Sequence, residues 1–165
     1  MDPRDKRKAT SPALAVDMSF NDFYNNVDPI MTVINNYDKQ GPIDDKLRSL
    51  VEQGKFDDAV NMAAEYLKDP LHRYFKNELE TKINAYGYTL INQNKFDNAN
   101  KVLKMNIQLF PESANAYDSY AESFMLMGKK GDAIKYFEMA IAKDKDGVTA
   151  DNSKKQIEKI KTNSN

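Results

Sequence analysis

Cysteine and tryptophan are absent from this 165-residue chain, and histidine occurs once, as His72. Without cysteine there is neither a disulfide nor a thiolate metal site. A lone histidine brings no partner set for acid–base or nucleophilic chemistry, and it is expected at the surface or as a helix cap. Charge of one sign is also missing. The formal net charge is -1, so no global field draws the chain to nucleic acid or a membrane surface. No apolar run approaches the roughly 20 residues of a membrane-spanning helix. The first residues, MDPRDKRKATSP, lead into no apolar stretch of the kind a signal peptide needs. The six glycines are scattered, which excludes a phosphate-cradling loop. AKDKDG at 142–147 lacks the full order of a calcium loop, so no metal or cofactor is expected. These absences leave the compartment open.

What is present is ordinary for a globular domain. Apolar residues make up 41% and charged residues 30%, with nine tyrosines and eight phenylalanines. Residues 1–18 read as a disordered tail or linker. Arg4, Lys6, Arg7 and Lys8 form a small basic cluster there, diluted by Asp2 and Asp5. Residues 19–42 read as N-terminal helices, capped at Ser19 and again at Asp28–Pro29 and ended by Gly41–Pro42. Phe20, Phe23, Tyr24 and Val27 recur at helical spacing, as do Ile30, Val33, Ile34 and Tyr37. Residues 71–93 show a stripe of Leu71, Phe75, Leu79, Ile83, Tyr86 and Leu90. Asn152–Ser153 is expected to cap a last, polar helix over 151–162. No segment alternates with period two for long, so strands are not expected.

One short phrase occurs three times: GKFDDA at 54–59, NKFDNA at 94–99 and GKKGDA at 128–133. Each stands between two helical patterns. Gly54, Asn94 and Gly128 suit a left-handed helix end. Asp57, Asp58, Asp97 and Asp132 favour the positive end of the helix that follows. The last two copies are 34 residues apart. Ile83, Tyr86, Gly87 and Leu90, then Ala99, Leu103 and Pro111, fill one unit. Tyr117, Tyr120, Ala121 and Phe124, then Ala133 and Phe137, fill the next, with Lys145 in place of the closing proline. The period and these positions resemble the tetratricopeptide repeat (TPR). That implies an all-α, TPR-like helix-turn-helix solenoid in which units must stack to bury their apolar faces. The expected organisation is a degenerate TPR-like pair over 43–75, two repeats over 76–146, and a C-terminal capping helix and tail over 147–165. Gly87 and Ala121 are small where the paired helices cross, with Ala99 and Ala133 opposite. The unit over 43–70 lacks a small residue at the crossing and carries about six extra residues before the next unit.

A narrower resemblance rests on ELETKINAYGYTLI (78–91) and on the run Pro111 to Ser119, Pro-Glu-Ser-Ala-Asn-Ala-Tyr-Asp-Ser. Both are similar to the short C-terminal TPR module of bacterial serine hydrolases and esterases. The likeness covers roughly residues 75–145. No S-x-x-K or G-x-S-x-G motif occurs in this chain, so no catalytic site is expected in it.

In a TPR array the exposed sides of the first helices line a concave groove. Helical spacing puts Thr81, Asn84, Tyr88 and Asn92 on that side of one unit, and Asn115, Asp118, Glu122 and Met125 on that side of the next. The resemblance thus implies a non-catalytic module that holds a peptide or protein, with Tyr88 as aromatic anchor. TPR proteins that grip chaperone C-termini use lysines, arginines and asparagines there. Asp118 and Glu122 would repel such a carboxylate. The alternative is a structural or dimerisation appendage of a serine hydrolase or esterase, with a cognate catalytic domain or a second copy as partner. Phe20, Phe23 and Tyr24 are the side chains expected to fill the groove if the chain's own N-terminal helix occupies it.

Overall fold

The computed structural model describes residues 19–29, 31, 42–69, 72 and 75–162. Among these, every regular element is helical: α1 Phe20–Tyr24, α2 Ile43–Glu52, α3 Phe56–Lys68, α4 Lys76–Asn92, α5 Phe96–Leu109, α6 Ala114–Leu126, α7 Lys130–Lys143 and α8 Val148–Thr162. Helices α2–α3, α4–α5 and α6–α7 pair through tight turns, and α8 packs on α7 and α6. The architecture is an all-α, TPR-like helix-turn-helix solenoid.

The three copies of the repeated phrase are three copies of one turn. Gly54, Asn94 and Gly128 have φ of 75°, 59° and 73°. In each case that residue's N–H bonds to a carbonyl three residues back, Val51, Ile91 or Met125. The next N–H reaches five residues back, to Leu50, Leu90 or Phe124. These paired bonds close the last turn of the helix in a Schellman arrangement, which needs a residue tolerant of the left-handed region. Asp57, Asp97 and Asp132 then stand in the first turns of α3, α5 and α7. No side chain caps those helices, so the dipole interaction is the favourable local term there.

Pair crossing is a matter of side-chain size. A Cβ added at Gly87 would lie 2.6 Å from Leu103 Cδ2, and Leu103 is fully buried. Ala121 and Phe137, one period later, are fully buried too. In the degenerate pair the equivalent residues are Leu47 and Ala63, both buried. There the large residue stands on the first helix and the small one on the second, the reverse of Gly87 and Leu103. The small residue expected on the first helix is missing, and the second helix carries a small one instead.

Several expectations need correction. Helix α1 stops at Tyr24, where Asn25 takes the C-cap and Asn26 has φ of 52°. The capping box of Ser19 with Asp22 is present, and Asp28 caps the backbone of Met31 at 3.2 Å. Ile30, Val33, Ile34, Tyr37, Gly41 and Leu71 lie outside the described residues, as do 1–18. Phe75 precedes α4 and is 45% exposed, so it is not part of the apolar stripe. His72 is buried instead of surface-borne. Its ring stacks on Tyr66 at 3.7 Å, with Nδ1 2.9 Å from the Tyr66 carbonyl oxygen. Helix α8 begins at Val148, so Asn152 and Ser153 lie inside it and do not cap it. The reason is the period: α6 moved on by one repeat falls on α8, which therefore acts as the first helix of a further unit. Its Ile157 and Ile160 close the core, while Lys154, Lys155, Glu158 and Lys161 are exposed.

Candidate functional site

The first helices α2, α4, α6 and α8 lie side by side, each touching the next, and the second helices back them. The residues singled out by the repeat differ in their surroundings. Asn92 and Asn115 are exposed, as is Thr81, whose hydroxyl donates to the Asn77 carbonyl. Asn84 is half-buried, and its Oδ1 is buried without a hydrogen-bond partner. Met125 is half-buried against the C-terminal apolar cluster.

Tyr88, Asp118 and Glu122 are brought together, and they are already engaged. The Tyr88 hydroxyl donates to the Glu122 carboxylate exactly one repeat later in the chain and lies 3.2 Å from Ser119 Oγ. Asp118 is buried on α6. It accepts from Asn152 Nδ2 at 2.9 Å and from the Ser153 hydroxyl, both on α8. Burial raises the Asp118 carboxyl above its ordinary value, against the lowering effect of those two hydrogen bonds. Burial raises Glu122 as well, with the Asp118 charge adding to it. Tyr88 is pushed up by burial and by its bond to Glu122, which favours the protonated phenol. These contacts link one first helix to the next, and Glu80 bonded to the Ser113 hydroxyl adds another. Ion pairs of Lys82 with Asp44 at 3.3 Å and with Glu78 at 3.0 Å extend the series toward α2.

Ser119, Asn152, Ser153 and Lys159, whose charge is felt by Glu122, surround these groups, and sequence had assigned none of them to the site. The signal was present, since Asp118 and Asn152 are one period apart. The α1 aromatics do not pack on these residues, because Phe20, Phe23 and Tyr24 are 83%, 75% and 78% exposed. Helix α8 packs against Asp118 instead. Among the described residues no three histidine, aspartate or glutamate side chains converge as metal ligands. None of the described helices is long and apolar enough to cross a membrane.

No family model and no curated protein matches the chain. Solved structures do match. The first TPR of Spaghetti (RPAP3) bound to the HSP90 peptide SRMEEVD is 15% identical with a TM-score of 0.46, over 73% of this chain and 88% of that one. The NMR structure of the first TPR domain of human RPAP3 has the same identity and TM-score, over 73% and 87%.

Proposed function

We propose that this chain is a non-catalytic protein-interaction module that holds a peptide or protein along the face of α4, α6 and α8. The observation that carries this reading is the alignment of solvent-reaching polar side chains on successive first helices. Asn92 and Asn115 stand open, and Tyr88 and Glu122 are half-buried between them and held in place by their mutual hydrogen bond. Amide side chains pair readily with an extended backbone, and a pre-oriented tyrosine costs little entropy to bind against. The carboxylates of Asp118 and Glu122 disfavour a partner that would place its own carboxylate there.

The test uses exposed positions, so that folding is spared. An Asn92→Arg, Asn115→Arg double variant should lose at least about tenfold in affinity for any partner captured by the full chain. A Lys104→Glu, Glu138→Lys variant, exposed on the second helices, should keep it. Calorimetry on the captured partner decides. Equal affinity across the set sinks the groove reading.

A second reading, a structural or dimerisation appendage to a catalytic domain such as a serine hydrolase, draws on a different observation. Phe20, Phe23 and Tyr24 on α1, with Val27 and Met31 beyond it, all expose apolar surface. Exposed apolar patches of this kind mark contact surfaces. On this reading light scattering at rising concentration shows self-association, and Phe20→Ser with Phe23→Ser abolishes it. A monomer at every concentration removes the dimer form of the reading.

A further inference from the structure

The helix pairs are not joined equally. Leu103 and Ile107 of α5 and Ile91 of α4 pack with α6, and Ile157 and Ile160 close α8 on α6 and α7. The first pair, α2–α3, shares an apolar cluster with α4 and α5. Its junction with them is nevertheless packed less extensively than either of the later ones. A cleft remains there, lined by Leu47 and Arg48 of α2, by Lys82, Ile83 and Tyr86 of α4, and by Met105 of α5. The Arg48 guanidinium carbon lies 4.9 Å from the centre of the Tyr86 ring, and Arg48 Nε is buried without a hydrogen-bond partner. A buried donor in that state carries a cost that parting α2 from α4 relieves.

What crosses this junction beside apolar contact is cationic. Lys82 of α4 bridges to Asp44 of α2 at 3.3 Å, and Arg48 of α2 stands over Tyr86 of α4. Lys101 Nζ of α5 lies 4.7 Å from the centre of the Phe56 ring of α3. The later junctions carry hydrogen bonds from uncharged donors instead: Tyr88 to Glu122, Asn100 to Ser123, and Asn152 and Ser153 to Asp118. Cationic contacts at part-exposed sites are individually weak, and salt screens them. The repeated turns also align Lys46 and Glu65 of the first pair with Tyr86 and Met105 of the second. Where α4–α5 turns apolar groups to the unit before it, α2–α3 thus turns charged ones, as a terminal unit does. Its connection to α4 spans 69–75, longer than the later ones over 110–113 and 144–147. That length lets the pair separate without drawing α4 along.

We infer that α2–α3 is an electrostatically latched unit. It opens from α4–α8 as one body while the rest of the array stays folded, and the contacts of Lys82 with Asp44, Arg48 with Tyr86 and Lys101 with Phe56 hold it shut. Ionic strength therefore sets how often it opens. Opening uncovers Ile83, Tyr86 and Met105, which are buried in the closed form. The apolar side of α4–α5 is accessible only in the open state. The latch does not depend on a partner binding along α4, α6 and α8.

Native-state hydrogen exchange of the full chain, read by NMR, tests this. Ala63, Leu103 and Phe137 occupy one position in the three second helices, and all are fully buried. The Ala63 amide should open at least about tenfold more often than that of Phe137, with the amides of α2 following Ala63. Raising sodium chloride from about 0.05 M to about 0.5 M should widen that ratio about threefold. Lys82→Met removes the bridge to Asp44 and should widen it about as much at low salt, because the Phe137 amide is unmoved. Lys101→Met, at an exposed position, removes the contact with Phe56 and should act in the same direction. Equal opening at Ala63 and Phe137 overturns the inference. So does a ratio that salt leaves unchanged, or one that both variants leave unchanged.

Discussion

Gly87→Ala is expected to destabilise the protein by about 1–3 kcal/mol, although alanine is the better helix former. The added methyl would meet Leu103 Cδ2 at 2.6 Å and Cγ at 2.7 Å. Leu103 is fully buried and has nowhere to retreat. Leu103→Ala alone should cost about 2–5 kcal/mol, from lost burial and the space left behind. In that background the sign of the first substitution reverses. With the leucine gone, Gly87→Ala fills part of the space and gains about 1 kcal/mol of helix propensity. Urea unfolding of the four proteins gives the coupling directly. The same sign for Gly87→Ala in both backgrounds would refute the crossing argument.

Alkaline solution should unfold the chain over a narrow range starting near pH 10. Tyr120 is pushed up to about 12 by burial, with Tyr136 adding its charge and a hydrogen bond. Tyr88 and Tyr86 are raised too, both mainly by burial. In the unfolded chain a tyrosine ionises near pH 10. Between there and its folded value the unfolded state has lost a proton that the folded state still holds. Stability is therefore intact below about pH 10 and falls by about 1.4 kcal/mol per pH unit for each such tyrosine. Across the window to pH 12 Tyr120 alone removes about 2–3 kcal/mol. Phenolate absorbance and the loss of helical circular dichroism should then rise together, and Tyr120→Phe should flatten the slope. Ionisation of Tyr120 near pH 10 with the helices intact would contradict this. Asp118 and Glu122 act oppositely at the acid side. Their folded values are raised. Both therefore favour the folded state increasingly as pH falls through those raised values to the ordinary carboxylate range.

Much of this was legible in local signals. Turn residues at Gly54, Asn94 and Gly128 announce a left-handed helix end whatever surrounds them, because the constraint is on one residue's backbone. The apolar stripes of α4 to α7 follow from helical spacing alone. Phe75 was misread because it stands where the helix had not begun, and His72 because its burial comes from stacking on Tyr66 of the preceding helix. Asn152 and Ser153 looked like a cap because polar residues before a helical stripe usually are one.

By itself, then, the sequence determined the helices, the turns, the repeat period and which residues share a side of each first helix. All of these depend on neighbours within a few residues or on a fixed interval. Only the tertiary structure decided what those sides meet. It laid α8 against Asp118. It bonded Tyr88 to Glu122 and enclosed Asn106 without a partner. Each of these depends on which atoms fill the volume between helices, and that is set by stacking the whole array at once.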